Sequence, residues 1–232
     1  MMKNSKIILG CLISIMFAAA ASAAWVPLTD RVTLSSLQNG GSLVFGDKEI
    51  SEFDMFGFSS GGALAPNPDE MLVEGGKNSI TGDYGLRFFS FSWVAVSKQV
   101  VNATLSFKVS VLPGYDGYIK DVSLDLSGAG VSGLWGVVSA TENVRNAKGD
   151  VIASLGCSSQ DGDGGAYLVD HAEFAPVKEI WIHSKDISVI YYGTRPGAAH
   201  LSEFYQYYSQ IPEPATICLL GLGVLGLLRR RK

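Results

Sequence analysis

The stretch Thr104-Leu105-Ser106-Phe107-Lys108-Val109-Ser110-Val111 alternates strictly between polar and apolar side chains. Because successive side chains of a strand point to opposite faces, this period of two predicts a half-buried β-strand with one wet side. Residues 121–127, Asp-Val-Ser-Leu-Asp-Leu-Ser, repeat the pattern. Between residues 25 and 210, no long apolar stripe recurs at the 3.6-residue period of a helix. The body of the chain is therefore predicted to be all-β.

Two further regions are predicted to form strands. Alternation over residues 87–94 would place Phe89, Phe91 and Trp93 together on one face, with serines opposite. The segments 179–183 and 186–192 are rich in β-branched and aromatic residues and are predicted to pair as a hairpin. The turn of that hairpin would lie near Ser184-Lys185-Asp186.

Turn signals separate the predicted strands at short intervals. They are Asn39-Gly40-Gly41, Gly46-Asp47, Gly61-Gly62, Pro113-Gly114, Gly128-Ala129-Gly130, Lys148-Gly149-Asp150 and Pro196-Gly197. The longest predicted loop covers residues 59–78, which are rich in Gly, Pro and Asn. Many short strands with such turns predict an antiparallel β-sandwich, jelly-roll-like in its topology.

Length and charge restrict the possible functions. The chain has 232 residues, 47% of them hydrophobic, which is enough for one sizeable core. The stretch 24–211 contains 12 basic and 21 acidic residues. An acidic body repels phosphates at long range, which argues against nucleic-acid binding.

The N-terminus is typical of a secretory signal peptide. Lys3 and Lys6 precede an apolar run over residues 7–21, and Ala21-Ser22-Ala23 supplies the small residues that signal peptidase requires. The prediction is a signal-peptide helix over residues 1–23, with cleavage between Ala23 and Ala24. The alternative, an uncleaved anchor helix, is disfavoured because the run is short for a membrane span.

The C-terminus has three parts in order: Ile211-Pro212-Glu213-Pro214, the uncharged segment Ala215–Leu228, and Arg229-Arg230-Arg231-Lys232. Two prolines around one residue exclude helix in the first part. The apolar segment predicts a transmembrane helix, although its rise of about 21 Å is short for a hydrocarbon core of about 30 Å. The final cations stay on the cytoplasmic side and would stop transfer, leaving the body outside.

This tail resembles the PEP-CTERM sorting signal of exopolysaccharide-producing Gram-negative bacteria, through Pro212-Glu213-Pro214-Ala215, the apolar segment and the basic end. The resemblance implies that the protein is a substrate of exosortase, an integral-membrane cysteine transpeptidase-like enzyme that releases or transfers the body. The expected organisation is a signal peptide (1–23), a β-sandwich body (24–210) and a sorting signal (211–232). The expected location is the cell surface or extracellular matrix, after transient residence in the inner membrane.

The body contains few groups arranged for catalysis. Asp170-His171 could orient an imidazole as in a hydrolase, but no Gly-x-Ser-x-Gly appears, and His171 is interpreted as a surface strand residue. The three histidines, His171, His183 and His200, do not have zinc-ligand spacing. Cys157 is either a buried small hydrophobe or a reactive thiol.

Asp161-Gly162-Asp163-Gly164-Gly165 is the best candidate metal site. Alternating aspartates in a glycine-rich loop can present oxygens to calcium, so Asp161 and Asp163 are weak calcium candidates. An exposed β-turn explains the same residues for backbone reasons alone. No other cofactor is expected.

Aromatic residues cluster just before the tail, at Phe204, Tyr205, Tyr207 and Tyr208. They fit either a last strand or an aromatic belt at the membrane interface. The function expected for the body is structural or adhesive and non-enzymatic, in association with exopolysaccharide. The alternatives are a carbohydrate-binding module, which a row of aromatics on one sheet would favour, and an extracellular polysaccharide hydrolase, which a cleft with paired carboxylates would favour.

Overall fold

The computed structural model describes residues 25–160, 166–193 and 197–212, with side chains described as far as Ser209. These ranges contain one short helix, α1 (Leu34–Gln38), and seventeen strands. The strands are β1 (Trp25–Pro27), β2 (Val32–Thr33), β3 (Leu43–Phe45), β4 (Lys48–Ser60), β5 (Leu72–Asn78), β6 (Tyr84–Phe89), β7 (Val94–Val96), β8 (Gln99–Val111), β9 (Gly117–Asp125), β10 (Ala129–Ser132), β11 (Gly136–Asn146), β12 (Val151–Gln160), β13 (Ala166–Tyr167), β14 (Val169–Val177), β15 (Glu179–Tyr191), β16 (Ala198–Leu201) and β17 (Glu203–Pro212).

The strands form two large sheets and a small one. The first sheet has the order β1-β5-β6-β17-β9-β14, with β2 beside β5, and the second has the order β13-β12-β11-β15-β8-β4-β3. The small sheet, β10-β16-β7, contacts β11, β15 and β8 of the second sheet. The strand pairings within the described ranges are antiparallel.

Eight of the strands trace a jelly roll. In the first sheet β6, β17, β9 and β14 lie side by side, and in the second β8, β15, β11 and β12 do so. Among these eight, the chain changes sheet at every step except between β11 and β12, and β17 returns beside β6. This is the strand order of two interlocked Greek keys, so the predicted antiparallel jelly-roll sandwich is confirmed.

The core lies between the inner faces of the two large sheets. Leu105, Phe107 and Val109 of β8 are fully buried, and so are Val122 and Leu124 of β9, as the alternation in the sequence predicts. Burying each such side chain stabilises the fold by about 1.5–3 kcal/mol. A row of stacked rings crosses the core, with Phe204 centred 4.5 Å from Phe88 and 5.6 Å from Trp93.

The face predicted for residues 87–94 is wrong. Strand β6 ends at Phe89, with Phe88 facing the core and Phe89 on the opposite side. The chain then leaves the sheet, because the Ser90 amide donates to the Ser202 carbonyl outside the strand ladder. Phe91 is consequently 88% exposed, whereas Trp93 is 2% exposed and stacks in the core.

The predicted hairpin over 179–192 is also wrong, because residues 179–191 form the single strand β15. Instead of turning, the chain forms a bulge at which the register with β8 shifts between Ile182 and Lys185. Ser184 takes a φ of 53° there. An extra residue in one strand reverses the faces beyond it. Lys185 thereby points into the sandwich and is fully buried.

The predicted loop over 59–78 is shorter, since β4 continues to Ser60 and β5 begins at Leu72. The aromatic cluster before the tail belongs to β17, a central strand, which continues to Pro212 opposite Gly117 of β9. Within the described ranges, no helix has the combined length and hydropathy needed to cross a membrane. The predicted signal-peptide helix and the apolar segment of the tail lie outside those ranges.

Candidate functional site

The outer face of the first sheet, turned away from the core, carries an unusual combination of aromatic and charged side chains. Residues paired across antiparallel strands share a face, and the pairings place Glu74, Arg87, Tyr205 and Asp125 in one row across four strands. The neighbouring row contains Gly76, Gly85, Tyr207, Ser123 and His171. We call this surface the aromatic face, comprising Trp25, Glu74, Gly76, Gly85, Arg87, Ser123, Asp125, His171, Tyr205 and Tyr207.

Three aromatic rings form the centre of the aromatic face. The Trp25 ring lies 5.5 Å from Tyr205 and 6.0 Å from Tyr207, and the two tyrosine rings are stacked at 5.8 Å. Two glycines make room for them. A Cβ on Gly76 would lie 2.5 Å from a ring carbon of Trp25, and one on Gly85 would lie 2.9 Å from a ring carbon of Tyr207. Glycine at both positions leaves room for these rings, and a Cβ would also meet backbone there, at 2.5 Å from the Val26 oxygen for Gly76 and 2.3 Å from the Gln206 oxygen for Gly85.

A charged network holds the rings in place. Glu74, which is 2% exposed, accepts hydrogen bonds from Trp25 Nε1 at 2.8 Å and Arg31 Nε at 2.8 Å. Arg87 Nη1 also donates to Glu74, at 3.3 Å from the Oε1 atom that accepts from Trp25, and Arg87 Nε donates to Glu203 at 3.0 Å. The Arg87 guanidinium also stacks 3.9 Å from the centre of Phe89. Charge-assisted bonds of this kind fix the side-chain geometry of the site.

The carboxyl group of Asp125 and the hydroxyl groups of Tyr205 and Tyr207 have raised pKa values. Burial raises the pKa of Asp125, the hydrogen bonds from Ser127 partly offset this, and the negative charge of Glu203 raises it further. Burial, followed by the charge of Glu203, raises the pKa of Tyr205 to about 12. Burial, followed by the charge of Asp125, also raises the pKa of Tyr207. Both phenols therefore remain protonated at neutral pH and can donate hydrogen bonds.

His171 lies at the edge of the aromatic face, on the exposed strand β14, as expected of a surface residue. Its Nδ1 lies 2.8 Å from the Ser123 hydroxyl. Asp170 does not orient the imidazole, because its carboxylate accepts from the Gly156 amide at 2.8 Å, the Tyr167 hydroxyl at 3.0 Å and the His171 backbone amide at 2.8 Å.

One nitrogen of His171 and carboxylate oxygens of Asp121 and Glu173 lie within 4.8 Å of one another and could reach one cation. Asp121 is already engaged, however. It accepts hydrogen bonds from both the amide and the hydroxyl of Ser209, and Lys120 Nζ lies 3.5 Å from one of its oxygens. These contacts favour a structural role for Asp121.

Cys157 is buried, as one of its two interpretations predicts. Burial, followed by the charge of Asp170, raises the pKa of its thiol to about 12. Its Sγ lies 3.4 Å from the Leu124 carbonyl oxygen. The thiol is therefore protonated at neutral pH, and the structure favours the packing role over a reactive one.

Most of the sequence-predicted sites lie outside the described residues. They are the signal cleavage residues Ala21, Ala23 and Ala24, the calcium candidates Asp161 and Asp163, the motif residues Glu213 and Pro214, and the cations Arg229, Arg230, Arg231 and Lys232. Pro212 is described and ends β17. The aromatic face was not predicted from the sequence, although Tyr205 and Tyr207 alternate with Phe204 and Tyr208 in a manner that indicates two aromatic faces of one strand.

Residues 210–232 match the family model of the PEP-CTERM protein-sorting motif, so the chain carries this motif at its C-terminus. No curated protein is significantly similar to the chain. Three solved structures are distantly similar, none closely enough to assign a function. TmCBM61 in complex with β-1,4-galactotriose is 16% identical, over 67% of this chain and 88% of that one, with a TM-score of 0.30.

The other two are more distant. The enzymatically active domain of bacteriophage CBA120 tailspike protein 4 is 11% identical, over 67% of this chain and 19% of that one, with a TM-score of 0.24. A DUF4465 family protein from Bacteroides caccae ATCC 43185 is 10% identical, over 80% of this chain and 100% of that one, with a TM-score of 0.22.

Proposed function

We propose that this chain, which carries a PEP-CTERM sorting motif, is a non-enzymatic adhesive protein whose sandwich binds carbohydrate through the aromatic face. The motif implies export to the cell envelope or surface of a Gram-negative bacterium and processing by exosortase. In the proposed order of events, signal peptidase removes residues 1–23 and exosortase then removes the tail. The body then associates with exopolysaccharide at the surface or in the extracellular matrix.

The observation that carries this proposal is the cluster of three rings beside two glycines, in which Trp25 and Tyr205 are partly exposed and Tyr207, at 8% exposure, supports them from below. A pyranose ring has apolar C–H faces and a rim of hydroxyls. Flat aromatic rings provide area against the C–H faces, and fixed polar groups provide partners for the hydroxyls. Asp125 supplies an acceptor within the same rows, and the Tyr205 hydroxyl, which donates to Glu203 Oε1, can accept from a sugar hydroxyl.

Binding is favoured over hydrolysis because two of the three carboxylates nearest the rings, Glu74 and Glu203, already serve structural partners. Glu74 is bound by Trp25, Arg31 and Arg87. Glu203 is bound by Arg87 and by the Tyr205 hydroxyl. A glycosidase instead needs one carboxyl group free to protonate the leaving oxygen and a second one free to act as nucleophile or base.

A polysaccharide hydrolase is the second candidate, favoured by one observation. Burial raises the pKa of Asp125, which is the property that a general acid needs near neutral pH. The two candidates differ in outcome, since a hydrolase releases new reducing ends from a polysaccharide that it binds and an adhesive protein does not.

The test is binding of the full chain, purified in mild detergent, to a glycan array and to polysaccharide from the producing cells. We expect Trp25→Ala and Tyr205→Ala to weaken binding at least about tenfold, since central aromatic contacts are worth about 1–2 kcal/mol or more. The matched control is Phe56→Ala, which removes a 69% exposed ring from the second sheet.

Equal loss in all three variants, or no loss in the first two, would show that the aromatic face is not the binding site. Release of reducing ends that Asp125→Asn abolishes would establish the hydrolase instead.

A further inference from the structure

Three polar side chains meet inside the sandwich, away from the aromatic face. They are Glu142 of β11, Lys185 of β15 and Gln206 of β17, and each is 2% exposed or less. Lys185 Nζ donates to Glu142 Oε2 and to Gln206 Oε1. Gln206 Nε2 donates to Glu142 Oε1 at 2.8 Å, so each member of the cluster contacts the other two.

One bulge, in β15, places Lys185 inside. It shifts the register with β8 between Ile182 and Lys185 and the register with β11 on either side of Glu142. Glu142 itself points inward by the regular alternation of β11, between the buried Ala140 and Val144. Gln206 comes from the first sheet, where it lies on the inner side of β17 between the buried rings of Phe204 and Tyr208. The cluster therefore spans the two sheets.

An amine in this position is prepared for nucleophilic attack. Burial lowers the pKa of Lys185, against the opposing pull of the Glu142 carboxylate. Deprotonation supplies the lone pair that a nucleophilic lysine requires. The side chain is fully enclosed, and its Nζ lies 5.5 Å from the centre of the Phe204 ring. Exclusion of water suppresses the competing hydrolysis of the amide.

We propose that Lys185 and Gln206 join in an intramolecular isopeptide bond between their side chains, with Glu142 transferring the proton. The lone pair of Lys185 Nζ attacks Cδ of Gln206, and the C=O bond opens to a tetrahedral intermediate. Glu142 Oε2 accepts a proton from Nζ. When the intermediate collapses, the original C–N bond breaks and Nε2 leaves as ammonia, having received the proton from Glu142.

The reaction balances without any other reactant. One C–N bond forms and one breaks, the amine loses a hydrogen and the departing amide nitrogen gains it, and nothing is oxidised or reduced. The position of Glu142 suits this step, because Oε2 contacts the attacking nitrogen and Oε1 contacts the leaving nitrogen. A carboxyl group in this position can move one proton between the two.

The product also relieves an unfavourable feature of the fold. A buried amine and carboxylate must give up hydration, and that penalty can exceed their attraction. Converting the amine to an amide removes one of the two buried ionisable groups. The new bond would link β15 of the second sheet to β17 of the first, so the strand that leads to the sorting motif becomes covalently tied across the core.

The experiment is mass spectrometry of the full chain, recovered from cells and digested with trypsin. An isopeptide at Lys185 prevents cleavage after that residue. Loss of ammonia makes the peptide that contains Lys185 and Gln206 lighter by about 17 Da than its sequence. When this peptide is fragmented in the mass spectrometer, backbone breaks between residues 185 and 206 should release no fragments, because the cross-link holds the two pieces together. A wild-type peptide that ends at Lys185 with its full mass would overturn the proposal, whatever the variants do.

Two variants test the role of Glu142. Glu142→Gln keeps the shape of the side chain but removes the proton carrier, so the peptide is expected at full mass with normal cleavage after Lys185. The control is Asp186→Asn, which changes the exposed carboxylate next to Lys185 in the chain and should keep the 17 Da loss expected for ammonia. Undiminished cross-linking in Glu142→Gln would contradict the assigned mechanism.

Discussion

Asp125 is a candidate binding residue whose charged carboxylate is unfavourable for folding. It is paired with Tyr205 across β9 and β17, and burial raises the pKa of its carboxyl group. The carboxylate is therefore less favourable in the folded protein than in the unfolded chain at neutral pH. Such penalties are typical of functional positions, where activity and stability compete.

We predict that Asp125→Asn stabilises the protein at pH 7 and loses this advantage towards pH 4. A raised folded-state pKa means that the folded protein holds the proton more tightly, so the stability that Asp125 contributes is lost as pH rises through that pKa. Asparagine is neutral throughout. Thermal melts should show a gain of about 2–4 °C at pH 7, the shift that about 1 kcal/mol produces in a chain of this size.

The control for this comparison is Asp116→Asn in the exposed loop between β8 and β9, which should melt like wild type at both pH values. A gain of equal size at pH 4 and pH 7 would show that the buried charge is not the cause.

Among the elements, the connection from β7 to β8 is a strained two-residue turn. Ser97 and Lys98 have φ values of 36° and 62°. Positive φ is unfavourable by about 1–2 kcal/mol for residues with a Cβ, and such turns normally contain Asn-Gly or Asp-Gly. The turn between β11 and β12 has glycine where it is needed, with Gly149 at a φ of 86°.

We therefore predict opposite effects from two exchanges at these turns. Lys98→Gly should raise the melting temperature by about 1–3 °C, because relief of the strained φ exceeds the entropy cost of glycine. Gly149→Ala should lower it by a similar amount, and only through the backbone, since a Cβ there meets nothing within 4 Å. Circular dichroism melts of the two variants measure both. A fall for Lys98→Gly would show that its side chain, and not its φ, matters.

Strands with one wet side could be predicted from sequence, whereas bulges and the aromatic face could not. Leu105 and Phe107 alternate with polar neighbours, so local pattern alone places them inside. Ser184-Lys185-Asp186 has the composition of a turn, and only pairing with β8 and β11 makes it a bulge. The aromatic face joins Trp25 to Tyr207 through the order of four strands, β1-β5-β6-β17, which local periodicity does not encode.

At the scale of the whole molecule, the body and the sorting motif overlap. Strand β17 runs to Pro212, and the motif match begins at residue 210. No spacer separates the last strand from the motif within the described part of the chain. The processing enzyme must therefore reach the motif directly beside the folded body, next to β9 and its Gly117.

We predict that Glu213→Ala, or replacement of both Pro212 and Pro214 by alanine, leaves export intact but blocks removal of the tail. The prolines fix φ and remove two amide donors, which keeps the segment extended for an enzyme to bind. A carboxylate such as that of Glu213 is unfavourable within hydrocarbon, and a cationic group of the enzyme could pair with it. Immunoblots of membrane and secreted fractions should show the uncut protein in the inner membrane.

Glu173→Ala, which removes an exposed carboxylate from β14, is the control and should be trimmed normally. If the motif variants are trimmed and released as efficiently as wild type, the tail acts only as an anchor.

The central position of β17 determines how the body resists a pulling force. Tension applied at residue 212 enters along the axis of β17, which is hydrogen-bonded to β6 on one side and β9 on the other. The load is then a shear across both ladders, so many hydrogen bonds must rupture together. An edge strand such as β14 would instead peel away one bond at a time. Because resistance to forced unfolding is set by a rate, a body loaded through β17 should unfold more slowly under tension than one loaded through an edge strand.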